Sequence, residues 1–319
     1  MKKFTKKIIY FILPIVISAT VLDKGISYLL SQAKEEPGNF EVWSDVYKEN
    51  SNASSDIAIH GSSRSWVHIN PKIISDSLHL TSYNFGMDGH NLWLQYLRHL
   101  ELLKNHKKPK IIIFSVDAFT LQKRTDLYQS NQFLPYMLWN ENIIKYTSSY
   151  VGYTATDYYI PLMRYAGQTE AVKSALKVLI NRGQQTNYRT KGYRGIDEQW
   201  NSDFDKAKEN LKYYEIKVDP NSAKLFENFI KQCKVKNIEL IFVYTPEYIE
   251  GQKFVKNRKN IIDIYQNLSE KYRVPFYNYS NDSICLDKSY FYNASHLNKK
   301  GSELFSKKFA HDLKSRAEK

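Results

Sequence analysis

Asp56-Ile57-Ala58-Ile59-His60-Gly61-Ser62-Ser63-Arg64-Ser65-Trp66 is a short apolar, β-rich run that ends in a glycine-serine turn where a helix can begin. A serine at such a strand-to-helix turn is exposed at the edge of a sheet, beside helix amides able to hold an anion. That is where a nucleophile belongs, although serines at this place also cap helices. A second run, Ser82 to Phe85, is followed by Gly86-Met87-Asp88-Gly89-His90-Asn91, again a glycine-rich turn that opens a helix. Glycine lets backbone approach a ligand closely, so an amide at Gly86 can stabilise the oxyanion of acyl transfer; the plainer reading is a helix entry with ordinary turn glycines.

Outward from this segment, short β-rich runs alternate with longer helical ones, which argues for parallel strands joined by crossover helices. Strands are predicted at Asp56 to His60, Ser82 to Phe85, Lys110 to Val116, Glu239 to Tyr244 and Pro275 to Tyr279. Helices are predicted over Leu92 to Asn105, Ser222 to Asn237, Phe254 to Tyr272, and Gly301 to about Arg316. Between Phe119 and Pro220 the rhythm breaks into a Tyr-rich stretch with helical periodicity at Glu170 to Ile180. It reads as an insertion, residues 119–220, that is either a lid or recognition subdomain at the carboxyl edge of the sheet or a helical pack with no ligand role.

The chain of 319 residues is 42% hydrophobic, with 25 Tyr and 16 Phe, so it can bury an ample core and is a folded protein. Its formal charge of +13 comes from basic residues dispersed over many elements. No zinc-finger spacing, RNA-binding signature or basic heptad helix accompanies them, so nucleic acid is not an expected partner. Cys233 and Cys285 lie far apart with no ligand-spaced Cys or His beside them; this speaks against structural zinc and leaves one disulfide open.

At the amino end, four lysines within Met1 to Lys7 precede the uncharged apolar run Ile8 to Leu22. Positive charge before such a run keeps the amino end in the cytoplasm and sends the remainder across the membrane. Fifteen residues are fewer than the roughly 20 of a full span, but flanking residues extend the helix into both interfaces. Cleavage after Ser31-Gln32-Ala33 competes with an uncleaved anchor, which is preferred because the charged pair Asp23 and Lys24 separates that site from the apolar run. The expected organisation is an anchor at residues 1–30, a polar connecting segment at 31–55, and one domain at 56–319 carrying the insertion.

Near the carboxyl end, Asn293-Ala294-Ser295-His296-Leu297-Asn298-Lys299-Lys300-Gly301 places a histidine in a turn before the last helix, with a carboxamide three residues upstream. Together with the Gly61-Ser62-Ser63 and Gly86 turns, this resembles the SGNH/GDSL hydrolase superfamily. Its members carry a Gly-Asp-Ser turn after the first strand, a glycine after the second, and an Asp-x-x-His block near the end. The similarity extends to bacterial cell-envelope acyl-group enzymes of the alginate O-acetyltransferase-like and D-alanyl-lipoteichoic acid transfer protein-like kinds. It covers Asp56 to Val116 and Glu239 to the end. The resemblance implies a flavodoxin-like three-layer α/β fold with a central parallel sheet, Ser63 as nucleophile, His296 as general base, and an oxyanion hole from the Ser63 and Gly86 amides.

Two positions depart from that family's pattern. Asn293 stands where an aspartate orients the histidine, so the imidazolium gains less stabilisation unless Asp282 or Asp287 substitutes. Asp117, in Phe114-Ser115-Val116-Asp117-Ala118-Phe119, stands where an oxyanion-hole asparagine is expected, and a carboxylate there repels an oxyanion. Asp117 is thus a substrate-binding residue or a structural cap. Arg64, His90, Asn91 and Glu247 are further polar candidates for the same cleft. The resemblance implies an extracytoplasmic esterase or O-acyltransferase acting on a cell-surface glycan or acylated envelope polymer. A membrane-bound acyltransferase is a candidate partner, the membrane is met through the N-terminal helix, and neither cofactor nor metal is implied. The rival is a catalytically weak or inactive glycan-binding or acyltransferase-partner protein, which Asn293 and Asp117 favour.

Overall fold

The computed structural model describes residues 2–33, 40–49, 51–89, 91–180 and 189–318. In chain order the elements are α1 (Lys2–Ser31), α2 (Phe40–Tyr47), β1 (Ile57–Gly61), α3 (Ser63–His68), α4 (Pro71–Leu78), β2 (Ser82–Asn84), α5 (Leu92–Asn105) and β3 (Ile111–Val116). There follow α6 (Glu141–Thr147), α7 (Ala155–Tyr159), α8 (Thr169–Ile180), α9 (Asp203–Asn210), α10 (Pro220–Val235), β4 (Glu239–Tyr244), α11 (Ile249–Phe254) and α12 (Arg258–Tyr272). The chain closes with β5 (Phe276–Asn278), a two-stranded hairpin of β6 (Phe291–Asn293) and β7 (His296–Leu297), and α13 (Lys299–Ala317). These divide between two compact units, residues 1–44 with 125–188 and residues 45–124 with 189–319.

The larger unit holds a five-stranded parallel sheet in the order β2-β1-β3-β4-β5, the doubly wound arrangement expected from the strand–helix alternation. Side chains alternate across the pleat. Ile57, Ile59, Ile113, Ile241 and Val243 face an aliphatic layer completed by Phe305, Phe309 and Leu313 of α13. Phe114 and Phe242 face the other way and pack on Phe226 at 5.2 Å between ring centroids in each case, under α10. Every strand therefore delivers its carboxyl end to one edge, where the turns after β1, β2, β3 and β4 gather. The helices start on local signals: Asn70 caps α4 ahead of Pro71, Asp219 caps α10 ahead of Pro220, and Asn298 caps α13.

The strands fall within a residue or two of their expected positions, and the structure differs in three other places. The expected connecting stretch contains α2. The helix expected over Phe254 to Tyr272 begins instead at Arg258, after the separate α11, because Asn257 binds Ile216 through both its carbonyl oxygen and its amide nitrogen and Tyr214 bridges Val255, which fixes an irregular corner. Cys233 and Cys285 are both buried and free rather than bridged.

The smaller unit is helical, and its core includes Phe133, Leu134, Met137, Ile143 and Tyr158, with Trp43 set edge-on against Phe133 at 5.6 Å. From Phe4 to Ser18, α1 is exposed all round; its second half instead buries a stripe at Asp23, Ser27 and Leu30. Arg164 grips Asp23 bidentately at 2.7 and 2.8 Å and also donates to Ser27 Oγ at 2.8 Å and to the Leu134 carbonyl at 2.6 Å. Neither charged side chain has any exposed surface. Removing one partner of such a pair strands a buried charge at a cost of about 3–5 kcal/mol, so Asp23→Ala is expected to lower the melting temperature of the full chain by several degrees, measured in detergent.

Candidate active site

Gly61 ends β1 with φ +145°, and a Cβ there would stand 2.8 Å from the Ser115 carbonyl oxygen and 2.9 Å from Ser65 Cβ. Only glycine permits this close approach to Ser115 of the neighbouring strand β3, and the chain then turns at once into α3. The two serines that follow have different duties. Ser62 is the helix cap, accepting from the Arg64 amide, and its hydroxyl donates to Asp117 Oδ2 at 2.5 Å. Ser63, half-buried, places its Oγ 2.8 Å from His296 Nε2. Among the described residues the Ser63 amide, at the first position of α3, has no hydrogen-bond partner, which leaves it available to a developing oxyanion.

His296 is held by its own turn. Asn293 Oδ1 accepts from the amides of Ser295 and His296 at 3.1 and 2.9 Å, and His296 Nδ1 lies 3.0 Å from the same oxygen. Backbone amides can only donate, so this atom is the carbonyl oxygen and His296 meets it with Nδ1–H. The tautomer follows: the lone pair of Nε2 faces Ser63 Oγ, as a general base requires. Tyr292 stacks on the imidazole at 5.4 Å with 13° between planes, and His68 meets it edge-on at 5.9 Å. Burial first, then the Arg64 guanidinium, hold the imidazole far below its usual range, at about 3, against an opposing pull from Asp203.

Asn293 therefore supplies orientation without charge. A carboxylate in its place favours the imidazolium and moves the base toward neutrality, where proton abstraction is strongest. Asn293→Asp is expected to raise ester-hydrolysis kcat/KM at pH 7 by about 10-fold and to shift the acid limb of the pH profile upward, whereas Asn293→Ala lowers kcat/KM by about 100-fold. Stopped-assay hydrolysis of a p-nitrophenyl ester checks both.

The other expected site residues lie close by, with altered roles. The Gly86 amide donates to Asn84 Oδ1 at 2.9 Å, so it is spent and does not line an oxyanion hole. Gly86 is glycine because a Cβ would come within 2.7 Å of the Trp66 nitrogen. Arg64 and Glu247 form a buried ion pair at 2.7 Å, with side chains 3% and 7% exposed, instead of facing substrate. Tyr244 donates to the second Glu247 oxygen at 2.7 Å. Asn91 is turned onto the Phe119 carbonyl at 2.6 Å. Asp117 is 1% exposed and caps its own turn through the Phe119 amide while it holds Ser62, so it acts as a structural cap. Asp282 and Asp287 each cap a short 3-10 turn, and neither replaces Asn293. His90 lies outside the described residues.

Sequence reasoning missed His68 and Thr245, which support the site from behind. His68 Nε2 accepts the Leu297 amide at 3.0 Å and so donates from Nδ1 to Thr245 Oγ1 at 2.8 Å; Thr245 in turn receives Arg64. This fastens α3, which begins with Ser63, to the strand that begins with His296. A histidine five residues after Ser63 gives no local signal of that task.

Beside the Asn293–Ser295 turn lies a cavity of about 250 Å³, lined chiefly by Phe119, Phe204, Leu211, Tyr214 and Phe254, with Asp203 at its rim. A cavity of about 340 Å³ at Ile57, Ile111 and Glu239 lies at the amino-terminal edge of the sheet, away from Ser63.

No family model matches the chain, and no curated protein does. Among solved structures it is similar to one described as a lipolytic protein of the G-D-S-L family from Desulfitobacterium hafniense DCB-2, at 10% identity and TM-score 0.37, covering 80% of this chain and 97% of that one. An acetyl xylan esterase matches at 11% identity and TM-score 0.39 over 82% and 98% of the two chains. A GDSL-like lipase from Bacteroides thetaiotaomicron VPI-5482 matches at 9% identity and TM-score 0.37 over 85% and 92%. Likeness at this level assigns neither activity nor substrate.

Proposed function

We propose that this chain is a serine esterase of the SGNH/GDSL hydrolase superfamily, held at a membrane by α1 with its catalytic unit outside the cytoplasm, and acting on ester-linked acyl groups of a cell-surface polysaccharide or other envelope polymer. The observation that carries the reading is the relay from Ser63 Oγ through His296 to Asn293, at 2.8 and 3.0 Å. Ser63 Oγ attacks the acyl carbon while His296 Nε2 takes its proton, and the negative oxygen of the tetrahedral intermediate faces the Ser63 amide. Collapse breaks the ester C–O bond, the alcohol leaves with the proton from His296, and Ser63 carries the acyl group. Water, deprotonated by His296, then releases the acid; a sugar hydroxyl in the same place yields O-acyl transfer. The cavity beside the turn gives the apolar part of an acyl group or alcohol somewhere to lie.

The outward placement is supported by the long apolar helix Phe4–Ser31 and by the lysines that precede its apolar run. A tether suits a substrate fixed in the envelope, since a diffusing metabolite needs none. The test is intact-mass labelling of the full chain in detergent with a fluorophosphonate. One adduct on the native protein, absent from Ser63→Ala and His296→Ala, is the expected result. A folded protein that takes no adduct would overturn catalysis and favour the glycan-binding or acyltransferase-partner alternative, with which the spent Gly86 amide and neutral Asn293 agree.

A further inference from the structure

We propose that the turn from Tyr159 to Met163, with Trp139, is a lipid-contacting knob that seats the smaller unit in the bilayer surface beside α1. The proposal rests on α1 crossing that bilayer. The run Ile8 to Leu22 has fifteen residues, about 22 Å of helix at ~1.5 Å per residue, whereas the hydrocarbon layer is about 30 Å thick. Asp23 would ordinarily mark the point where the helix leaves lipid. Here it is buried and neutralised by Arg164, which leaves the exposed Lys24 beside it as the charge at that level, a side chain long enough to reach the headgroups.

The chain beside Asp23 is apolar and turned outward. The Leu162 amide donates to Asp23 Oδ2 at 2.8 Å, which places this turn at the level where the apolar run ends. Around it Tyr159, Ile160 and Met163 are 55%, 49% and 42% exposed. Trp139 is 50% exposed, and its indole N–H donates to the Tyr159 carbonyl at 3.0 Å, so the ring stands outward on the same turn. Leu162 and Trp139 are non-glycine residues with φ of +70° and +58°, a conformation that side chains seldom adopt unless their surroundings impose it. Trp139 thereby holds a large ring out of the core, while Leu162 is half-buried. A tryptophan whose N–H is satisfied and an exposed tyrosine ring suit the boundary between lipid and water, and a patch of this kind is unfavourable if it faces water alone. Continuity with α1 through the Leu162–Asp23 bond favours lipid over a protein partner as its occupant.

The test uses the full chain with Met163→Cys, since Cys233 and Cys285 are each only 1% exposed and escape labelling. The new thiol carries an environment-sensitive nitrobenzoxadiazole probe in phosphatidylcholine–phosphatidylglycerol vesicles, with Val21→Cys, 68% exposed on α1, as the reference. Nitroxide lipids are expected to quench the Met163 probe to within about twofold of the Val21 probe, and aqueous iodide to quench it weakly. Ile160→Cys repeats the measurement should Met163→Cys melt early. Quenching of Val21 by nitroxide with Met163 and Ile160 open to iodide would overturn the knob while leaving the span intact. Iodide quenching at Val21 as well would overturn both.

Discussion

Ser63→Ala is expected to lower ester-hydrolysis kcat/KM by about 10⁴-fold or more, and His296→Ala by a similar factor, with the double variant no worse than either. Non-additivity is the discriminating part. The two side chains form one proton-transfer unit at 2.8 Å, so removing either abolishes the activated alkoxide and the second change has nothing left to remove. Ser62→Ala is different. That hydroxyl caps α3 and binds Asp117, so its loss leaves a buried carboxylate short of one donor and affects stability more than the chemical step. Equal losses for Ser62→Ala and Ser63→Ala, or multiplicative losses in the double variant, would contradict the assignment. Initial rates on a p-nitrophenyl ester, with melting temperatures alongside, separate these cases.

The larger unit is expected to lose its fold in mild acid. His60, His68 and His99 are buried, and burial holds all three imidazoles far below their usual range, His99 to about 3. Each is neutral in the folded chain, and each binds a proton near pH 6.5 once unfolded. His296 is held down in the same way, so below that pH the unfolded state carries up to four more protons than the native one, and native stability is full above pH 6.5 and falls as the pH is lowered. The slope approaches about 5 kcal/mol per pH unit, which consumes a typical 5–15 kcal/mol within a few units. His68 has a further constraint, because its Nε2 must stay unprotonated to accept the Leu297 amide. The urea midpoint, followed by near-ultraviolet circular dichroism, should hold steady from pH 8 to 7 and drop steeply from about pH 6. His60→Leu, which replaces an imidazole whose two nitrogens have no hydrogen-bond partner among the described residues, should flatten the drop by about a quarter. A midpoint unchanged down to pH 4.5 would mean that these rings take up protons without leaving the core.

The parts of this structure legible in the sequence are those set by local signals. Alternating β-rich and helical runs located all five sheet strands, most plainly the inner strands β1, β3 and β4, which are buried on both faces and are apolar over most of their length. The Gly61-Ser62-Ser63 turn and the Asn293 to His296 spacing were visible because a strand-to-helix turn and an Asx turn are each built within a few residues. What escaped notice depends on residues distant in the chain. Gly86 looked available, yet Asn84 folds its carboxamide back onto that amide only because Ser65 and Ile69 hold its other end. Arg64 and Glu247 read as cleft residues until Tyr244 and Thr245 enclosed them. The break between α11 and α12 depends on Ile216, 41 residues away from Asn257. Asp23 read as the end of an apolar segment, and its partner Arg164 stands 141 positions later.

That last separation imposes an order on assembly. Translation at about 5–20 residues per second puts roughly 7–30 seconds between the emergence of Asp23 and that of Arg164. The leading helix therefore waits through that interval with the Asp23 carboxylate unmatched. During this time Lys24, the next residue, is the nearest cation in the sequence. The smaller unit cannot close until the segment after residue 125 has returned to the start of the chain. Slowing synthesis between these two positions lengthens the exposed state, and removing the leading helix after assembly would reopen it from the other side.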